Sequence, residues 1–143
     1  MRDESHLRNI LLPHKCHLMA SRLSHLGDAI SLLIAGLYTV AGQAHFTDRL
    51  TPDLASNIET MTQNTYVAFG GLGMNYAPFK QFLGAFDLGA AILLWRRPTR
   101  RAGLLTAVIG FGGGLYGQIS TGKDITQVAA FLGLALVGLL CSR

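Results

Sequence analysis

Apolar residues in this chain gather into long uninterrupted runs, with neither the alternation of a half-buried strand nor the narrow stripe of a surface helix. Uncharged runs occupy 29–44, 102–122 and 125–142, and a fourth, 81–95, is broken by Asp87 alone. A helix crossing a bilayer needs about 20 mainly apolar residues, so the runs predict spans at 27–46, 78–95, 101–120 and 124–141. The second reaches that length only if its helix starts near Pro78. The expected fold class is all-α, a four-transmembrane-helix bundle.

Between the first two spans lies a long connection, 47–77. Its polar first half predicts a short helix from Pro52 to about Met61, because Pro is well placed at a helix start. Its second half, "YVAFGGLGMNY", is apolar and glycine-rich, and is expected to fold back over the bundle or dip into the membrane. An additional half-span is the competing reading. Ahead of the 27–143 membrane unit, residues 1–26 form a cytosolic segment. In "HKCHLMASRLSHL" the apolar positions Leu18, Met19, Leu23 and Leu26 recur at roughly helical spacing among basic groups, as in a helix lying on a leaflet. An Arg-rich targeting peptide and a cleaved signal ending near "AGQA" (41–44) are weaker readings, opposed respectively by Asp3 and Glu4 and by the long charged lead.

Composition sharpens the contrast with a soluble helical domain: half the residues are hydrophobic, 14% are charged, and there are 17 glycines. The net charge of +4 is organised by topology, and no nucleic-acid partner is indicated. Nine of the 12 Lys and Arg residues precede the first span, crowd the "RRPTRR" turn (96–101) or follow the fourth. Arg49, Lys80 and Lys123 fall on the other side. The imbalance predicts both termini in the cytosol and the long 47–77 loop outside it. Cys16 and Cys141 both fall near the cytosolic face, so no disulfide framework is expected. The "HKCH" cluster (14–17) lacks a second ligand group at zinc spacing, so no metal is assigned, and no pattern for a cofactor is visible.

Small residues at helical spacing predict where the helices touch, since helices in lipid associate through close backbone approach. Thr106, Gly110, Gly113 and Gly117 form one such stripe, Gly84, Asp87 and Ala91 another, and Leu32, Gly36, Thr39 and Gln43 a third, with Gly133 a contact point on the last helix. In "GFGGG" (110–114), Gly113 and its neighbours also leave room for a bound apolar molecule.

Asp87 carries the candidate chemistry. Counted from Arg96 it lies about 13 Å deep, near the middle of a ~30 Å hydrocarbon layer. An acid there costs about 2.5 to 3.5 kcal/mol on insertion scales, so it is expected to face the bundle interior, paired or protonated. Tyr38, at similar depth on the first span, is its expected hydrogen-bond partner. Toward the outer side Gln43, His45, Lys80, Tyr116, Gln118 and Gln127 are expected to line a polar funnel closed beneath by Asp87. Each also has a plain reading as a polar group near the interface, and for Asp87 that reading is an interhelical hydrogen bond.

"GQAHF" (42–46) followed by Pro52, and then "GAFDLGAAILLWRRPTRRAGLL" (84–105), resemble the DoxX-like family of small four-helix membrane proteins over roughly residues 28–140. In that family a Gly-x-x-His-Phe-type element ends the first helix and a Gly-x-x-acid-x-x-Gly/Ala pattern follows on the second. Asp87 stands where the family more often has Glu. The resemblance implies a membrane location and lipophilic, quinone-like partners, and no shared catalytic set. Two function classes follow. One is a membrane subunit, chaperone or lipophile-binding module that associates with a membrane-protein partner or with its own copies. The other is a membrane-embedded enzyme acting on a quinone, polyketide or terpenoid, with Asp87 as general acid, Tyr38 or Tyr116 positioning the substrate and His45 moving protons. Proton-coupled transport would also use Asp87, but no repeat or broken-helix pair supports it.

Overall fold

The computed structural model describes residues 4–142, with side chains from Arg22 onward. The described residues fold into five α-helices, α1 (Glu4–Ala44), α2 (Pro52–Ala68), α3 (Tyr76–Trp95), α4 (Arg100–Ser120) and α5 (Thr126–Cys141), with single 3₁₀ turns at Gly70–Gly73 and Arg97–Thr99 and no strand. The all-helical expectation holds, and the ends of α3, α4 and α5 fall within two residues of those read from the apolar runs. Helical stretches at Arg22–Ala44, Tyr76–Trp95 and Arg97–Ser120 are long and apolar enough to cross a membrane. The remaining apolar helix, α5, is also uncharged but has 16 residues. The expected leaflet helix is continuous with the first span in α1; of its apolar positions Leu23 and Leu26 are exposed, whereas Leu18, Met19 and the "HKCH" cluster have side chains outside the described set.

Packing follows the 3.6-residue period. On α1 Gly27, Ile30, Ser31, Ile34, Ala35, Tyr38 and Gly42 are buried along one continuous face directed at α3 and α5, and Ala44 and the following His45 are buried at its end. The expected contact stripe through Leu32, Gly36, Thr39 and Gln43 is therefore displaced: Leu32 is exposed, and no atom lies near where a Gly36 side chain would project. The close-contact glycines are Gly42, its Cα hydrogen directed at Leu88 of α3, and Gly27, against the backbone of Cys141 at the end of α5. The α3 stripe through Gly84, Asp87 and Ala91 does face the bundle, with Gly84 against His45 and Phe46. On α5 the contact glycine is Gly138, against Ile30 and Leu104, whereas Gly133 points into open space. The central core joins Ile34, Leu94, Leu104, Ala107 and Ala135 from four helices.

The "RRPTRR" turn is fastened to the bundle. Arg100, almost fully buried, donates from Nε to the Leu94 carbonyl (3.2 Å) and pairs through Nη1 with Asp28 of α1. Thr99 Oγ1 donates to the Leu93 carbonyl (2.7 Å).

The long connection differs most from expectation. The helix that starts at Pro52 runs on to Ala68, because Leu54, Ile58, Met61, Thr62 and Thr65 continue a helical face past the expected end at Met61. That face packs chiefly on α4. Asn64 Nδ2 donates to Gln118 Oε1 (3.1 Å), and Gly117 lets the Thr65 backbone approach closely. The chain then reverses through Gly70, Gly71, Leu72 and Gly73, all at positive φ. At Gly71 a side chain would also meet the Tyr66 ring at 2.5 Å, so glycine is required there on two counts.

Candidate functional site

Three local features bring Asp87 to His45. Residue 45 lies just past the last turn of α1, where its N–H still reaches the Ala41 carbonyl (3.3 Å). Gly84 lacks the side chain that would collide with His45 Cβ, so α3 runs close beneath the end of α1. One turn further along α3, Asp87 Oδ2 stands 3.4 Å from His45 Nε2. The distance is slightly long for a formed hydrogen bond. The imidazole is 5% exposed and the carboxyl 17%. His45 Nδ1 is buried and has no hydrogen-bond partner, an arrangement that a ligand polar group would relieve.

The pair opens onto a chamber of about 200 Å³. α1 supplies Tyr38 and Ala41 to its wall, α3 Leu83 and Phe86, and α4 Gly110, Phe111 and Gly114. α2 closes it with the same face that docks on α4, and α5 adds Gln127, Val128 and Phe131. The lining is mainly apolar, with Tyr38 against Phe111 (ring centroids 5.1 Å) and Phe111 stacked on Phe131 (5.6 Å). Such a space, with few convergent polar groups, has the makeup of a small-molecule site. A second cavity of about 390 Å³ lies on the far side of His45, lined by Thr47, Asp48, Ser56, Glu59 and Lys80 among others. His45 is the residue common to the two walls.

The expected site residues divide accordingly. Asp87, His45, Tyr38 and Gln127 meet at the chamber. Tyr38 is not, however, the hydrogen-bond partner of Asp87: its hydroxyl donates across to the Ala107 carbonyl of α4 (3.2 Å), and His45 takes that place. Lys80 faces the second cavity, ion-paired with Glu59, which also accepts from Tyr76 Oη (2.6 Å). These bonds hold the Glu59 carboxyl below the usual carboxylate range, the Lys80 ammonium contributing most. Gln43 is spent on the turn after α1, donating to the Thr47 carbonyl (2.8 Å). Gln118 is buried under α2, and Tyr116 is half exposed with its ring on Phe69. Gly113 lies off the chamber, to which α4 gives Gly110, Phe111 and Gly114: residue 113 falls about 100° around the helix from Gly114, and no atom lies near where its side chain would project.

Sequence reasoning missed the α2 contribution, Leu54, Ile58, Met61 and Thr62, although the helical spacing of those residues was the available signal. It also passed over Phe86, Phe111 and Phe131, which no composition rule separates from ordinary core. Among the described residues no group of three or more His, Cys, Asp or Glu side chains is placed to hold a metal ion.

No family model matches the chain. It is similar to the cyclic ether formation enzyme xenC of Xenoacremonium sinensis, at 26% identity over 100 residues that cover 69% of this chain and 81% of that protein.

Proposed function

We propose that the chain is a multi-pass membrane enzyme of a biosynthetic pathway that performs acid–base chemistry on a lipophilic intermediate. α1, α3, α4 and α5 are its four spans, both ends lie in the cytosol, and α2 caps the bundle on the opposite side. The imbalance of basic residues supports that orientation, and at about 24 Å α5 spans with slight local thinning of the bilayer. The DoxX-like resemblance belongs to the same reading. The observation that carries the enzymatic part is the buried Asp87–His45 pair, with an unpartnered ring nitrogen, at the wall of an apolar chamber.

The distant similarity to a cyclic ether formation enzyme supports a specific reaction, closure of an oxygen ring within one molecule. A substrate hydroxyl attacks an electrophilic carbon of the same molecule and loses its proton to His45. Asp87, protonated, gives its proton to the oxygen that leaves that carbon, as in opening of an epoxide. The imidazolium then returns a proton to the carboxylate across the 3.4 Å gap. The sum is an isomerisation, with no change in oxidation level. The decisive experiment pairs product formation with protein abundance for Asp87→Asn in the producing organism. Loss of product, with accumulation of a compound of identical mass and different retention, supports the reaction. Full product at normal abundance overturns it.

A non-catalytic subunit is the second reading, favoured by the outward glycines Gly36, Gly112, Gly113 and Gly133, beside which no atom lies. Such positions suit a partner helix. Recovery of a stoichiometric partner, with function intact in Asp87→Asn, would support it.

A further inference from the structure

The size and lining of the chamber restrict what it can take. An apolar cavity of about 150 Å³ binds benzene, and this one, at about 200 Å³, is larger by a fraction of a ring. Phe86, Phe111 and Phe131 offer flat apolar faces, and the Phe111 and Phe131 planes lie within 22° of each other. Among the described residues the buried side-chain polar atom without a partner is His45 Nδ1, and Asp87 stands beside the same ring.

The way in is also marked. α2 and α5 both contribute to the chamber yet scarcely touch each other, and the exposed amides Asn57 of α2 and Gln127 of α5 stand on its rim. Gly114 of α4 lines the same space. Unlike Gly110 and Gly117, whose side-chain positions are blocked by Tyr38 and Thr65, Gly114 has its nearest neighbour, Val128 Cγ1, at 3.7 Å. Helix packing does not demand glycine there, and its missing side chain leaves volume to the chamber.

Building on the enzymatic reading of the same site, we infer that the chamber receives a one- or two-ring lipophile bearing a hydroxyl, which enters sideways between α2 and α5, with Gly114 setting the largest ring admitted. The flat rings lie against the phenylalanines, and the hydroxyl reaches His45 and Asp87.

The test uses the full chain in lipid nanodiscs and three fluorescent probes, 2-naphthol, naphthalene and 1-hydroxypyrene, each corrected for partition into empty discs. The wild type is expected to bind 2-naphthol roughly tenfold more tightly than naphthalene, as one added buried hydrogen bond would give. 1-Hydroxypyrene should be excluded. Gly114→Leu is expected to weaken 2-naphthol at least tenfold, and Phe131→Ala to admit 1-hydroxypyrene. Should Gly114→Leu fail to yield monodisperse protein, Gly114→Ala, which the 3.7 Å clearance accommodates, decides the matter by a smaller loss in the same direction. Equal binding of naphthalene and 2-naphthol, or indifference to both Gly114 substitutions, overturns the inference. Absent 2-naphthol binding alongside an inactive Asp87→Asn defeats the ligand assignment alone. Expected binding alongside a fully active Asp87→Asn defeats only the chemistry proposed for Asp87.

Discussion

At the scale of single residues, the question is why a carboxyl tolerated in the middle of α3 meets an imidazole when a tyrosine was available. Depth along a helix can be counted from sequence, and the cost of an acid at the counted depth was the reason to expect an inward face, the one on which Asp87 meets His45. Depth says nothing about which of two groups on the neighbouring helix, Tyr38 or His45, two turns apart, comes alongside. That is settled by Gly84 and Gly42, which let α1 and α3 close where His45 and Leu88 stand, and by Ala107, whose carbonyl occupies the Tyr38 hydroxyl. Two roles follow. His45→Gln, which preserves most of the side-chain volume but loses the titrating ring, should lower kcat about 10²-fold while changing KM little. Tyr38→Phe should retain activity within a few-fold, since its hydroxyl already serves a helix contact, and cost roughly 1 kcal/mol of stability. Steady-state kinetics and thermal unfolding of the two variants check these expectations.

Among the elements, α2 is the one that most changes the picture drawn from sequence. The segment 66–76, which begins in its last turn, was expected to fold back over the bundle or dip into the membrane, because glycine-rich apolar segments near a bilayer invite that reading. The helical period through Met61, Thr62 and Thr65 continues beneath it, and the left-handed turn at Gly70–Gly73 accounts for the glycines. α2 is held to α4 at Gly117 and to α3 through Glu59, Lys80 and Tyr76. In Gly117→Ala the new methyl would meet the Thr65 backbone at 2.9 Å, so α2 should lift, at a cost of about 1 to 3 kcal/mol. Gly112→Ala, with open space beside it, should be neutral. Protease protection of the 52–68 segment distinguishes them. The Glu59 latch carries a pH signature. Its carboxyl is held below its ordinary value of 4.5, so its contribution is complete above that pH and fades as acidity increases through the depressed folded value. With both partners about a third exposed, Lys80→Met should remove no more than about 1 kcal/mol, and flatten the loss of α2 protection on acidification.

For the molecule as a whole, the apolar runs were sufficient to delimit α4 and α5, because each is uninterrupted, and α3, whose run is broken by Asp87 alone and extended back toward Pro78. The lateral assembly was not legible, since small-xxx-small spacing recurs on more than one face of α1 and α4, and only the three-dimensional crossing selects Gly42, Gly110 and Gly117 over Gly36 and Gly113. Orientation in the bilayer is testable through the "RRPTRR" turn. Replacing Arg96, Arg97 and Arg101 with Ser, and sparing Arg100 because it pairs with Asp28, should mix or invert the topology. Cysteine-accessibility labelling at the two chain ends would report it. The single imidazole standing between the two cavities has a final implication. Trimmed to alanine, that partition would merge them into one water-filled bore reaching from the outer surface to the heart of the bundle. In His45→Ala the Asp87 carboxyl would then meet bulk water, and a water-soluble carbodiimide should label it in the variant while sparing it in the native protein.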